Sequence, residues 1–145
     1  MIPTRVRITD VGPRDGLQNE SVVVPVAAKV ALVNALARSG VAEVEVSSFV
    51  SPKWVPQLGD AAAVFDAVER VDGVVYSALV PNMTGMERAL AVHAAGRLDK
   101  IAVFTAASES FSRRNTNATI AETLERFAPV VNAARGAGLA VRGYV

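Results

Sequence analysis

Arg14 and Asp15 stand side by side in the stretch Gly12-Pro13-Arg14-Asp15-Gly16-Leu17-Gln18-Asn19-Glu20, just after a short apolar run. A carboxylate there can take a hard divalent cation through oxygen. The neighbouring guanidinium can stabilise negative charge that develops on a bound substrate. Pro, Asp and Gly are also ordinary turn residues, so a tight turn without chemistry fits the same composition. Glu43 and Glu45 are separated by the two-residue repeat of a strand, which puts both on one face. Charges on an otherwise apolar strand point to a polar barrel interior or a site, or to salt bridges with Lys or Arg of a neighbouring strand. Glu45 lies nearer the C-terminal end and is the better site candidate. Ser47 to Gln57 carries the sole tryptophan, Trp54, and two prolines. A connection of that length is either functional or a hydrophobic lid. Ala106 to Asn117, with Arg113 and Arg114, can grip an anion or stand as a solvated loop. Arg142 on a strand is costly to bury unless paired, and Glu43 or Glu45 inside a barrel would pair it.

These residues need elements to position them. Short runs rich in Val and Ile alternate with longer Ala-rich segments. Strands are expected at Arg5 to Val11, Ala42 to Ser47, Val74 to Val80, Lys100 to Thr105 and Leu139 to Val145. Helices are expected at Pro25 to Arg38, Asp60 to Val71, Thr84 to Ala95 and Thr119 to Ala137. Gly40 and Gly96 read as left-handed caps. Asp60 and Asn82 read as N-caps, and Thr119-Ile120-Ala121-Glu122 as a capping box. Pro129 predicts a kink. His93 falls in mid-helix, which favours packing over metal binding, and Met83 and Met86 read as helix packing. The order βαβαβαβαβ implies a parallel sheet with covering helices. Each βα unit takes roughly 35 residues and a closed eight-fold barrel about 250. The sheet is therefore either open and doubly wound or part of a barrel. In both, chemistry gathers at the C-terminal ends of strands, where Arg14 and Asp15 fall and to which Glu45 lies nearer than Glu43.

Composition narrows the classes. At 145 residues the chain suits one domain, and at 51% hydrophobic and 20% charged it can bury a core. A formal net charge of +1 gives no case for nucleic acid or a membrane surface. Cysteine is absent, which removes disulfides, thiolate metal sites and a cysteine nucleophile from this chain. With no signal-peptide pattern and no long apolar run, a cytoplasmic location is the expectation. No phosphate loop, dinucleotide glycine motif or nucleophile elbow is present.

Gly12 to Glu20, GPRDGLQNE, and Ser48 to Gln57, SFVSPKWVPQ, resemble the segments after the first and second strands of the 3-hydroxy-3-methylglutaryl-CoA lyases. Phe104 to Asn117 and Arg142 to Val145 are similar to that family's fourth-strand loop and fifth strand. The wider metal-dependent group, including isopropylmalate and homocitrate synthases, shares the Arg-Asp pair. The resemblance implies an α/β fold, a partial (β/α)8 TIM barrel of about four βα units plus a fifth strand, with residues 1–145 as the N-terminal half of a catalytic domain. It implies cleavage of 3-hydroxy-3-methylglutaryl-CoA to acetyl-CoA and acetoacetate, in leucine breakdown and ketone-body formation. It makes Asp15 a ligand of Mg2+ or Mn2+, Arg14 the group that stabilises enolate-like charge, and Glu45 a support of the metal site. Gln18, Ser48, Asn115 and Tyr144 would lie around an acyl-CoA substrate. The family draws two histidine ligands, an asparagine ligand and a catalytic cysteine from later strands, so this chain alone is expected to be inactive. The alternatives are a non-catalytic half-barrel that acts by assembling with another chain, as a homodimer or with a missing C-terminal half, and a related acyl-CoA lyase or Claisen-condensing synthase.

Overall fold

In a computed structural model, residues 2–145 are described. Five strands run in parallel: β1 (Thr9–Asp10), β2 (Glu43–Ser48), β3 (Val75–Leu79), β4 (Lys100–Phe104) and β5 (Ala140–Tyr144). The helices between them are α1 (Val26–Ala37), α2 (Ala61–Ala67), α3 (Met83–Ala94), α4 (Glu109–Thr116) and α5 (Ile120–Gly136). The sheet order is β1-β2-β3-β4-β5. An order that never reverses keeps the right-handed crossovers on one face, which a doubly wound sheet does not do. Five flat strands would put β1 and β5 about 19 Å apart, four spacings of 4.7–4.9 Å. Yet Arg142 Nη2 of β5 donates to Thr9 Oγ1 of β1 at 2.9 Å. The sheet is therefore curled, as in half of a TIM barrel.

The two faces of the sheet divide by chemistry. Val44, Val46, Tyr76, Ala78, Ile101 and Val103 form one apolar cluster with helix residues such as Val33, Phe65, Met86 and Val130. Each buried Val, Ile, Phe or Met side chain among them contributes roughly 1.5–3 kcal/mol. Phe49 and Phe65 stack within it, ring centroids 5.9 Å apart. The alternate positions, Glu43, Glu45, Ser77, Lys100, Arg142 and Tyr144, bond to one another on the inner face. The two-residue period of the strands thus sends apolar groups to the helices and polar groups inward.

Several expectations hold. Gly40 and Gly96 take positive φ, +91° and +71°. The Asn82 side chain accepts from Gly85 N at 2.9 Å, and Thr119 with Glu122 closes the capping box. Others are corrected. The first strand shrinks from Arg5–Val11 to Thr9–Asp10, because β1 pairs with β2 alone and Glu43 is the first residue in register. Asp60 makes no side-chain cap. Its carboxylate instead accepts from the buried Lys29 at 2.7 and 2.8 Å. The second helix ends at Ala67 rather than Val71. Glu69 O accepts the Tyr76 hydroxyl and Val71 N donates to it, so those backbone groups find partners outside a helix. The expected loop Ala106–Asn117 contains α4, capped by Ser108 and closed by Asn117 at φ +51°. α5 runs through Pro129 as one helix.

Candidate active site

The site begins where β1 ends. Asp10 Oδ1 accepts from Gly12 N at 2.8 Å, and Val11 O accepts from both Arg14 N and Asp15 N, at 3.1 and 2.7 Å. Beyond them Leu17 N donates to Gly12 O, five residues back, which makes Gly12–Gly16 a single π-helical turn, a feature that recurs at functional sites. The turn sends the Arg14 side chain onto β2. Its Nε donates to Glu45 Oε1 at 2.5 Å and its Nη1 to Asp15 Oδ1 at 2.6 Å. Arginine carries five N–H donors, so three remain for a substrate. Asp15 itself is half open, with 54% of its side chain exposed.

Glu45 is fully buried and both of its oxygens are engaged. Oε1 takes Arg14, and Oε2 accepts the Tyr144 hydroxyl at 2.8 Å. A buried carboxylate without partners would be strongly disfavoured, so this pairing fixes it in place. Burial pushes the Tyr144 hydroxyl up; the Arg142 bond pulls it down, and the Glu45 bond and charge push it up again, leaving it above the usual tyrosine range. Two residues earlier, Glu43 holds the inner end of the network. Oε1 accepts from Ser77 Oγ at 2.8 Å, and Oε2 from both Lys100 Nζ at 2.5 Å and Arg142 Nη2 at 2.9 Å. Burial alone would raise the Glu43 carboxyl. The Lys100 and Ser77 bonds, with the charges of Lys100 and Arg142, outweigh burial and hold it below the usual carboxylate range.

Arg14, Asp15, Glu45 and Tyr144 are thus brought into one bonded group. Gln18 lies three residues beyond Asp15, half-buried in the next turn. Ser48 sits at the end of β2, but its hydroxyl is buried, donating to Leu79 O at 3.1 Å and accepting from Val50 N at 3.2 Å. Asn115 is exposed on α4, which packs on α5. Arg142 does meet Glu43, as pairing required. Lys100, Ser77 and Thr9 entered no expectation. The signal for Arg142 and Tyr144 was available: they repeat on β5 the two-residue spacing of Glu43 and Glu45 on β2. His93 ties loops together, its ring nitrogens 2.7 Å from Leu98 O and 3.0 Å from Ala137 O.

Among the described residues no group of three or more His, Cys, Asp or Glu side chains converges as a metal cage. Asp15 fits as one hard oxygen ligand, half-exposed at a strand end. Glu45, with both oxygens engaged, fits as support for Arg14 rather than as a second ligand.

Comparison with known proteins gives a consistent picture. The HMGL-like family model matches residues 5–144. A 3-hydroxy-3-isohexenylglutaryl-CoA/hydroxy-methylglutaryl-CoA lyase of Pseudomonas aeruginosa is 50% identical over 144 residues, which cover 99% of this chain and 47% of the relative. The crystal structure of an HMG-CoA lyase from Brucella melitensis superposes with a TM-score of 0.90 at 56% identity, covering 97% of this chain and 48% of that one. An HMG-CoA lyase from Acinetobacter baumannii, solved with coenzyme A and 3-methylmalate, superposes with a TM-score of 0.86 at 32% identity, covering 99% of this chain and 46% of that one. The chain spans about half the length of the curated relatives it matches.

Proposed function

The chain belongs to the HMGL-like family, and from that premise we propose that it forms the N-terminal half of a lyase barrel that cleaves 3-hydroxy-3-methylglutaryl-CoA to acetyl-CoA and acetoacetate. One observation carries the reading: just beyond the C-terminal end of β1, where barrels place their chemistry, the Arg14 guanidinium is fixed between Asp15 and Glu45 of the neighbouring β2. Arg14 is held with free N–H groups for a thioester carbonyl oxygen. As the carbon–carbon bond breaks, electrons pass to that oxygen as an enolate, and a fixed guanidinium stabilises the growing charge. The substrate's tertiary hydroxyl loses its proton and becomes the ketone of acetoacetate; the enolate carbon gains a proton and becomes the methyl of acetyl-CoA. Asp15 would hold a Mg2+ or Mn2+ ion in part, and that ion would supply Lewis acidity at this hydroxyl. Glu45 keeps Arg14 in register, and the Tyr144 hydroxyl keeps Glu45 in register. Gln18, Ser48 and Asn115 belong to the surrounding substrate wall, Ser48 through its fixed backbone. The remaining site groups come from structure beyond these residues. Leucine breakdown and a cytoplasmic location go with this reading; among the described residues no helix is long and apolar enough to cross a membrane.

The test is a graft. This chain replaces the matching 144-residue span of the Pseudomonas aeruginosa relative, and acetoacetate release is followed with Mg2+ and Mn2+. Metal-dependent release supports the reading. Cleavage of the isohexenyl thioester alone, read as acetyl-CoA formed with a longer 3-oxo acid, would move the substrate to a longer acyl chain. A second reading, assembly with another chain as a dimer or with a separate C-terminal half, is favoured by the edge of the sheet. β5 pairs with β4 alone, and an apolar groove lined by Val103, Leu124, Phe127, Val131 and Val145 runs beside it. Sedimentation at several concentrations discriminates, since a stable dilute monomer would count against obligate assembly.

A further inference from the structure

Arg142 faces a choice of two carboxylates. Glu43 and Glu45 share one face of β2, two residues apart, a rise of about 6.7 Å. A guanidinium on a long, flexible stem could reach either. It takes Glu43, through Nη2, and the same nitrogen donates to Thr9 Oγ1 at 2.9 Å. So placed, its Nη1 donates to the Tyr144 phenol oxygen at 3.3 Å. That donation occupies an acceptor site of the phenol, and the phenol's own proton is directed to Glu45 Oε2 at 2.8 Å. Glu45 Oε1 is then left to Arg14. The inner cluster balances: Arg14, Lys100 and Arg142 against Asp15, Glu43 and Glu45, joined by four ion pairs. Without the Glu43 carboxylate, two cations would share one small space with Glu45 as the nearest buried anion. Arg142 would move onto Glu45 and displace Tyr144.

We infer that Glu43 is a positioning residue: by holding Lys100 and Arg142 on its own carboxylate, it reserves Glu45 for Arg14 and Tyr144. The inference deepens the lyase reading and rests on it for its catalytic meaning. The geometry it describes lies wholly within this chain, so its test needs no turnover and fails separately from the substrate assignment.

The chain's two tyrosines, Tyr76 and Tyr144, give a direct readout. With 13Cζ-labelled tyrosine, NMR at neutral pH measures the solvent exchange of each hydroxyl proton. Tyr76, whose side chain lies in the apolar cluster on the helix-covered face and whose hydroxyl bonds Glu69 O and Val71 N, is the internal reference. Glu43→Asp keeps the charge but draws the carboxylate back by about one bond, 1.5 Å. Glu43→Gln keeps the length but removes the charge. In both, the Tyr144 proton should exchange about tenfold faster, the loss of one charge-assisted hydrogen bond, while Tyr76 is unchanged. Lys100→Met leaves the Glu43–Arg142 pair and should leave Tyr144 protected. Three results would overturn the inference: folded variants with Tyr144 exchange as in the parent, both tyrosines accelerating together, or acceleration in Glu43→Gln with none in Glu43→Asp, which would reduce the effect to charge alone. If Glu43→Gln does not fold, Glu43→Asp decides by the first two of these results.

Discussion

Arg14 and Asp15 touch, yet they should fail in different ways. In the grafted enzyme, Arg14→Gln should lower kcat by roughly a hundredfold or more, the effect of losing one charge-stabilising donor worth about 3 kcal/mol. Mn2+ affinity should change little. Asp15→Ala should weaken cation binding itself, so excess Mn2+ restores part of the rate. Metal rescue of the Arg14 variant and not of the Asp15 variant, read from kinetics against Mn2+ concentration, would reverse the two roles. Glu43 carries a pH prediction. Its folded carboxyl lies below the ordinary value of 4.5, so the stability it contributes is present above that value and is lost as pH falls through the lowered one. Urea unfolding should therefore show the parent's advantage over Glu43→Gln shrinking on acidification below about pH 4.5. An equal gap at pH 6 and pH 3.5 would contradict the pairing. At this scale the sequence was partly legible. Arg14 and Asp15 stood out as charges just past a strand end, Glu45 as a charge within an otherwise apolar strand, and strand spacing put Glu43 and Glu45 on one face. Arg142 was legible as a partner for one of the two glutamates, but which of them, and the part played by Lys100, was not, because Lys100 and Arg142 lie 57 and 99 positions from Glu43 and only the curl of the sheet joins them.

The elements hold the site through two tight contacts. Gly85, in the first turn of α3, packs on the end of β2: a Cβ there would lie 2.6 Å from Phe49 O. In an exposed helix Gly→Ala stabilises by up to about 1 kcal/mol. Here the neighbour is backbone, so Gly85→Ala should destabilise, by about 1–3 kcal/mol as overpacking does. A raised Tm in thermal unfolding would refute this close packing. Lys29 of α1 is almost wholly buried and donates to both Asp60 oxygens and to Gln57 O, while the Gln57 side chain donates to Glu20 O at 2.9 Å. This clamp ties the Trp54 loop to the segment that follows Arg14 and Asp15. Lys29→Met should cost about 2–3 kcal/mol, at or just below the usual loss for a broken buried pair because Asp60 is partly open to water. It should also speed amide exchange in residues 51–58, measured by mass spectrometry; unchanged exchange there would argue against the clamp. The sequence showed the four helices that are rich in apolar residues or strongly capped. It hid α4, because Phe111 is the sole apolar residue of Glu109–Thr116 and periodicity had nothing to register. It overstated β1, because β-forming residues need a partner strand, and Val6 and Ile8 are left 74% and 59% exposed.

At the scale of the molecule, five curled strands present one polar inner face and leave both sheet edges, β1 and β5, with a single neighbour each. The inner face supplies one open carboxylate, Asp15, and one poised guanidinium, Arg14. The chain by itself should therefore bind Mn2+ weakly, since a hard cation held by so few protein oxygens stays mostly hydrated, and it should release no acetoacetate. Calorimetric titration finding micromolar Mn2+ affinity, with turnover, would mean that these residues build a complete site on their own. Turnover by the graft into the Pseudomonas aeruginosa relative decides whether this inner face is half of an acyl-CoA lyase site. Mn2+-dependent acetoacetate release from 3-hydroxy-3-methylglutaryl-CoA is expected, falling by roughly a hundredfold or more with Arg14→Gln. A folded, metal-binding graft that leaves the thioester intact, or one whose turnover is indifferent to Arg14, would contradict it.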